Sequence, residues 1–279
     1  MLASFMNSNG KPEISVLIPA YNGASWIAET LRRVAAAGGV AFEAVVVDNA
    51  STDETVALIQ NVSGVKVIRN EANRGFSRAV NQAAAASRGR VLVVINQDLY
   101  LEPNALQVLF EFVCAKNALV GGELAFEDGV FQPSFGPFPS LAGTVCRRAL
   151  PRAMRKYDLA RPSGDSARAV DWVTGAFVGC RRELFEAVGG FDEDYFMYYE
   201  DVDFCLRARK AGFESYFLPS AKAVHLNPYS ARDDAPQWLR KEVRRSQMTY
   251  FRKHRPSWEY GAIRALNRAY FAAQGWPWP

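Results

Sequence analysis

Histidine, cysteine and long apolar runs are all scarce in this chain of 279 residues. Its four cysteines (Cys114, Cys146, Cys180 and Cys205) lie far apart and form no C-x-x-C pair. That argues against a disulfide framework or a structural zinc, and for reduced thiols. No window offers about 18 uninterrupted apolar residues, so no transmembrane helix is expected. The opening MLASFMNSNGKPE has no basic stretch followed by an apolar run, so no signal peptide is expected and a cytoplasmic location follows. The N-x-S triplets at Asn49 and Asn61 then have no secretory context. A formal charge of +4 is too small an excess to point to nucleic acid. What remains is an ordinary globular composition, 49% hydrophobic and 22% charged, long enough for one large α/β domain with appendages.

Up to residue 125 the chain alternates strand with helix. Ile14–Pro19 (ISVLIP) is an apolar run of the kind buried on both faces of a parallel sheet. Ser25–Ala37 has helical spacing and stops at Gly38-Gly39. Phe42–Val47 is a second strand ending at Asp48, after which Ser51 and Glu54 have capping-box spacing. Val65–Ile68 is a third strand, Ser77–Ser87 an alanine-rich helix, and Val91–Ile95 a fourth strand running into Asn96-Gln97-Asp98. Pro103 suits the first turn of a helix reaching Lys116. Regularity then weakens. Phe126–Val130 reads as a hairpin turn, and residues 132–168 as a surface insertion with one short helix. Trp172–Cys180 (WVTGAFVGC) reads as one strand, Glu183–Val188 and Glu200–Ala211 as helices, and Phe213–Leu218 as the last strand. From Gln237 the chain is a basic, aromatic, helical tail.

Such alternation predicts an α/β fold with an open, mostly parallel sheet and helices on both faces. Ligands on these sheets sit beyond the carboxyl ends of the strands. Here those ends carry Ala20-Tyr21-Asn22, Asp48-Asn49, Asn73-Arg74-Gly75 and Asn96-Gln97-Asp98. Any one of them is an ordinary turn sequence, but four on one rim point to a ligand.

Asp98 directly follows a buried strand, where a bare charge is costly. A divalent cation would relieve that cost, and a diphosphate is the usual partner of such an ion; the plain alternative is a turn-forming aspartate. In Tyr199-Glu200-Asp201-Val202-Asp203 three carboxylates repel one another, and Asp201 and Asp203 cannot share a helix face. A helix opened by Glu200 would favour their ionised forms through its dipole. An ionised carboxylate there suits a general base for a sugar hydroxyl; the plain alternative is an acidic, well-capped first turn. Tyr195, Phe196, Tyr198 and Tyr199 just upstream suggest a lined pocket. His225 follows the last strand, and taken alone reads as structural rather than as a ligand. His254 falls among basic residues on a helix expected to be exposed.

Together these residues resemble the inverting glycosyltransferase family 2 on the GT-A fold, and within it a bacterial rhamnosyltransferase-like group that builds cell-surface polysaccharides. The likeness runs from about Ile14 to His225 through SVLIPAYN (Ser15–Asn22), VVVDNASTDET (Val45–Thr55) and NEANRGFSRAVN (Asn70–Asn81). It continues with VVINQD (Val93–Asp98), WVTGAF (Trp172–Phe177) and GGFDEDYFMYYEDVDFCLRARKAGF (Gly189–Phe213). The resemblance implies a nucleotide-diphosphate sugar donor, dTDP-rhamnose or a UDP-sugar. It places Pro19, Tyr21, Asp48 and Asn73 along the base and ribose, with Asn22, Gly75 and Asn96 on the same donor rim. It makes Asp98 the holder of a Mg²⁺ or Mn²⁺ ion that bridges the diphosphate, with His225 as a further ligand. Gly175 and Ala176 would shape the pocket for sugar and acceptor. Asp201 matches the base position, with Glu200 and Asp203 as a supporting acidic cluster. The group commonly carries Asn-Pro-Asp or Asp-x-Asp where this chain has Asn96-Gln97-Asp98, so one carboxylate of that motif remains.

The expected organisation is an N-terminal tail (1–13), a catalytic domain (14–230) and a basic aromatic tail (235–279). The catalytic domain divides into a nucleotide-binding half (14–125), the insertion (132–168) and an acceptor and catalytic half (170–230). Two rival readings differ at identifiable residues. A nucleotidyltransferase making nucleotide-sugars should have a Gly-rich basic loop after the first strand, where this chain has Ala20-Tyr21-Asn22-Gly23. A non-catalytic sugar-nucleotide-binding protein would not need carboxylates at both Asp98 and Asp201. The insertion holds Arg147, Arg148, Arg152, Arg155, Lys156, Arg161 and Arg168, and the tail interleaves basic residues with Trp238, Tyr250, Phe251 and Trp258. Such segments suit peripheral contact with an anionic membrane surface, next to a saccharide or polyprenyl-linked acceptor at its inner face. The alternative is that the aromatics pack inward and the arginines face water.

Overall fold

The computed structural model describes residues 11–149, 161, 164–226 and 236–278. Most of the expected N-terminal tail, the junction at 227–235, and Arg152, Arg155 and Lys156 of the insertion lie outside the described residues.

The alternating order is present: β1 (Ile14–Ala20), α1 (Ile27–Ala36), β2 (Phe42–Asp48), α2 (Thr55–Gln60), β3 (Val65–Arg69), α3 (Phe76–Ala86) and β4 (Val91–Ile95). There follow β5 (Leu99–Leu101), α4 (Ala105–Lys116), β6 (Leu119–Ala125), β7 (Phe131–Gln132), β8 (Phe135–Gly136) and α5 (Leu141–Ala149), the short helix of the insertion. The second half contains β9 (Arg168–Val170), β10 (Trp172–Val173), β11 (Phe177–Arg181), α6 (Arg182–Ala187), α7 (Glu200–Lys210) and β12 (Ser215–His225). Two tail helices close the chain, α8 (Gln237–His254) and α9 (Ser257–Ala273).

The main sheet runs β3-β2-β1-β4-β11-β6-β12-β5. Its first four strands are parallel, because each return is made by a helical crossover. β11 returns from the insertion without such a crossover and lies antiparallel to both β4 and β6. The sheet is therefore parallel in its first half and mixed as a whole. Within β1, Ile14, Val16 and Ile18 turn to one face and meet Ile27, Leu31 and Val34 of α1. Leu17 turns to the other and meets Ala79, Val80 and Ala83 of α3. Alternate strand residues point to opposite faces, and burial of both faces explains the unbroken apolar run. A third cluster joins Tyr195 and Val202 to Tyr250, Phe251 and Ile263, so the tail packs on the segment around α7 instead of standing apart.

Three local readings change. The capping box at Ser51 and Glu54 does not form, because Ser51 Oγ accepts from Asn22 N at 2.9 Å. Asp53 takes over the entry to α2, accepting from Thr55 N and from Ala24 N, both at 3.1 Å. WVTGAFVGC is two strands, since Thr174-Gly175-Ala176 leaves the ladder between β10 and β11. There Thr174 N donates to Ser134 O at 2.8 Å and Gly175 N to Asp201 Oδ2 at 3.1 Å. The last strand extends to His225, with a register shift between Leu218 and Lys222, which carries the histidine back to the rim beside β5.

Candidate active site

The four strand exits form one hydrogen-bonded rim. Tyr21 N donates to Gln97 Oε1, and Gln97 Nε2 returns a bond to Tyr21 O, both at 2.9 Å. The middle residue of Asn96-Gln97-Asp98 thus pins the exit of β1. Asn22 is in the left-handed region (φ 47°) and accepts Thr52 N at 2.8 Å. Asp48 is buried and accepts Ser51 N at 3.2 Å. Asn49 Nδ2 reaches Gly75 O at 3.1 Å, and Asn73 Oδ1 accepts Gly75 N at 3.0 Å. Pro19 is buried in β1 opposite Val47 of β2, one residue short of the rim. Tyr21 stays 44% exposed at the edge of the rim.

Gly75 is the point where this rim meets the loop before α7. Its φ is +85°, and a Cβ there would lie 2.5 Å from Phe196 O. That same carbonyl accepts Phe76 N at 2.7 Å, opening α3. Gly75→Ala should cost about 1–3 kcal/mol from backbone strain alone. A thermal melt should show a loss of several degrees; an unchanged Tm would mean that the loop relaxes out of its positive-φ conformation as well as away from Phe196.

Asp98 and His225 are both buried at the end of β4 and β12. His225 Nε2 lies 3.4 Å from Asp98 Oδ1. His225 Nδ1 is 3.1 Å from Gln132 Oε1. The Gln132 contact orients the ring so that Nε2 is the nitrogen facing Asp98, where an imidazole and a carboxylate could share a cation. Asn96 Nδ2 lies 3.2 Å from the same Nε2. Among the described residues no group of three or more His, Cys, Asp or Glu is placed to hold a metal ion. A cation here would have two protein donors, one hard oxygen and one imidazole nitrogen, which fits an ion that takes its remaining ligands from phosphate and water.

Asp201 lies across the break between β10 and β11. Its Oδ2 accepts Gly175 N at 3.1 Å and its Oδ1 accepts Val202 N at 2.8 Å. Ala176 O, next to Gly175, accepts Asn96 N at 3.1 Å. One three-residue turn therefore links the Asn96–Asp98 motif to Asp201. α7 opens at Glu200 as expected, but ionisation is not favoured. Burial raises the Asp201 carboxyl, partly offset by the Gly175 and Val202 N–H groups. Burial, then the charge of Asp201, pushes Glu200 well above the carboxylate range, and Glu200 Oε2 has no hydrogen-bond partner.

The profile of Glycosyl transferase family 2 matches residues 15–188, and that of Glycosyl transferase family group 2 matches 155–277. The chain belongs to glycosyl transferase family 2. It is 33% identical over 215 residues to an N-acetylglucosaminyl-diphospho-decaprenol L-rhamnosyltransferase of Mycobacterium tuberculosis, covering 69% of each chain. It is 30% identical over 137 residues to the rhamnosyltransferase WbbL of Escherichia coli K12, covering 48% of this chain and 51% of that one. The mannosyltransferase PcManGT from Pyrobaculum calidifontis, solved with GDP-Man and Mn²⁺, superposes with a TM-score of 0.61 at 20% identity. That match covers 88% of this chain, which spans 64% of the Pyrobaculum chain. The fold is GT-A-like, and membership of a glycosyltransferase family sets the nucleotidyltransferase and non-catalytic readings aside.

In this family 2 chain the two aspartates of α7 serve opposite sides. Asp203, fully buried, receives Arg207 Nε at 2.6 Å and sits 2.6 Å from His254 Nε2. It is not near Gly175; it ties α7 to the tail. His254 is accordingly not on an open surface: its side chain is only 8% exposed. Ser246 Oγ donates to Met197 O at 2.8 Å, and Gln247 Nε2 to the Tyr199 hydroxyl at 3.1 Å. Tyr195 is buried in the tail cluster and Tyr199 packs on Tyr250, so the aromatic run does not line one pocket. Tyr198 and Tyr199 both have positive φ, 69° and 65°, a rare strain for two bulky residues in succession. Gln132, Ser246 and Gln247 give no signal in the sequence, and Gln97 and His254 show there without their partners, because those partners lie far away in the chain.

Proposed function

We propose that this chain is a metal-assisted, inverting glycosyltransferase of cell-surface polysaccharide synthesis. Its donor is dTDP-rhamnose or a UDP-sugar, and its acceptor is a hydroxyl of a saccharide or polyprenyl-linked glycan. The observation that carries the reading is the Thr174–Ala176 turn, which hydrogen-bonds to Asn96 on one side and to Asp201 on the other. A donor lying along the rim thus has a base carboxylate at its sugar end. The relatedness to two rhamnosyltransferases supports the sugar class.

The nucleotide stacks on Tyr21 and lies against Pro19, Asn22, Asp48, Asn73 and Gly75, with its phosphates toward Asn96. Gly175 and Ala176 border the sugar. The acceptor oxygen attacks the anomeric carbon while its proton passes to Asp201. The bond to the diphosphate breaks, the electron pair leaves on the phosphate oxygen, and a single displacement inverts the centre. The N–H groups of Gly175 and Val202 keep the carboxylate aimed throughout. Asp98 and His225 would hold a Mg²⁺ or Mn²⁺ ion, which when bound neutralises charge on the departing diphosphate.

Thermal melts with dTDP or UDP test the donor site without knowledge of the acceptor. A nucleotide diphosphate at about 100 times its Kd should stabilise the protein by about 2.7 kcal/mol. The shift should appear with Mn²⁺, fall away with chelator, and be absent in Asp98→Ala even with metal in excess. An equal shift with and without chelator would remove the metal from this account, and no shift with either nucleotide would remove the donor.

A further inference from the structure

The tail, from 236 onward, holds nine lysines and arginines against two glutamates, whereas the whole chain carries only +4. The rest of the chain is therefore net negative, and the positive field is concentrated here. Both glutamates are buried and paired, Glu242 with Arg245 at 3.2 Å and Glu259 with Arg255 at 2.7 Å. Neither shows a carboxylate to solvent.

The outward face of α9 is unusual for a helix in water. Glu259, Ile263, Asn267 and Phe271 turn inward. Outward stand Trp258, Ala265, Ala269 and Ala272, with Arg264 and Arg268 along one flank. From Trp258 to Ala273 the exposed positions of α9 carry no carboxylate, amide or hydroxyl. α8 repeats the pattern at seven-residue spacing, with Trp238, Arg245 and Arg252 exposed. Trp258 is 66% exposed and Trp238 52%. Tyr250 and Phe251 are buried in the core and take no part. Indoles and methyl groups flanked by guanidinium groups match the headgroup boundary of an anionic bilayer, where the ring enters and the cation stays at the phosphates. Among the described residues no helix is long and apolar enough to cross a membrane.

We infer that the outward faces of α8 and α9 form a docking surface for an anionic lipid bilayer, seated by Trp238, Trp258, Arg264 and Arg268. The inference rests on the proposed lipid-linked acceptor, since docking brings the catalytic half to the plane in which such an acceptor lies. An anionic polymer such as duplex DNA would engage the arginines but leave the indole and alanine surface without use.

Sedimentation of the whole chain with phosphatidylglycerol vesicles, compared with phosphatidylcholine vesicles and without donor or metal, tests the surface separately from catalysis. Binding should be strong to the anionic vesicles at low salt, fall steeply with added salt, and be weak to the zwitterionic ones. Arg264→Gln with Arg268→Gln should weaken it by about ten-fold or more, and Trp238→Ser with Trp258→Ser should lower it again at fixed charge. All four residues lie outside the catalytic contacts, so these variants should keep their melting temperature and their nucleotide-dependent thermal shift. No vesicle binding at low salt overturns the inference. So does binding that these variants leave unchanged, or tighter binding to duplex DNA than to the anionic vesicles. Loss of the nucleotide shift in the unaltered protein would instead count against the donor site and leave the vesicle result standing.

Discussion

Asp201→Asn should abolish sugar transfer while the protein still melts close to its original temperature. Loss of a general base costs roughly 10²–10⁴-fold in rate. The amide keeps the shape of the side chain and can still accept one of the two backbone N–H groups that hold Asp201, from Gly175 and Val202. Stability should change little, because a neutral group removes the cost of a carboxyl that burial raises above its ordinary value, while one backbone N–H loses its acceptor. The raised value has a kinetic counterpart. The base works only when deprotonated, so activity should climb with pH through an acid limb above the usual aspartate range. The linked stability runs the other way: the folded chain holds this proton more tightly than the unfolded one, so stability falls as pH rises through that window. Normal turnover by the Asn variant would assign the base elsewhere; an acid limb at the ordinary aspartate value would contradict the buried setting.

Asp203→Ala, two residues away, should do the reverse and unfold the protein readily. Asp203 is fully buried between Arg207 and His254, each at 2.6 Å. Removing one partner of a buried ionic cluster costs about 3–5 kcal/mol, because the other charge is left without a counterion. Urea titration should show a midpoint far below that of the unaltered chain, whereas Asp201→Asn should not. If both variants melt alike, the division of labour along α7 is wrong. His254→Gln, which keeps a hydrogen-bond donor for Asp203, should restore only part of what His254→Ala loses.

The legible part of this fold is the part made of short-range pattern. β1 to β4 and their helices follow from alternation, since a strand buried on both faces must read as an apolar run and a crossover helix as a stripe. The rim was visible for the same reason, as polar residues at the ends of such runs. WVTGAFVGC misleads because its residues are apolar on either side of the break; what divides it is the pull of Asp201 and Ser134 on two backbone N–H groups. Nothing local marks Gln132 as the partner of His225, 93 residues away, nor His254 as the partner of Asp203. The entry to α2 is held two positions later than the Ser51 spacing suggests, by Asp53, because Ser51 is taken by the loop after β1. Family resemblance named Asp98 and Asp201 where spacing alone left them open, but it did not separate Asp203, whose neighbour in space comes from the tail.

The clamp on α7 also sets an order of events during synthesis. Domains form from the N-terminus as the chain leaves the ribosome. All the rim residues up to Asp98 emerge early, and β1 to β4 can pair among themselves. Met197, Tyr199 and Asp203, around the left-handed pair Tyr198 and Tyr199, gain their bonds to Ser246, Gln247 and His254 only when α8 has been made. A nascent chain can therefore pair β1 to β4 well before α7 is clamped, and on the role proposed for Asp201 transfer waits until α8 has been made.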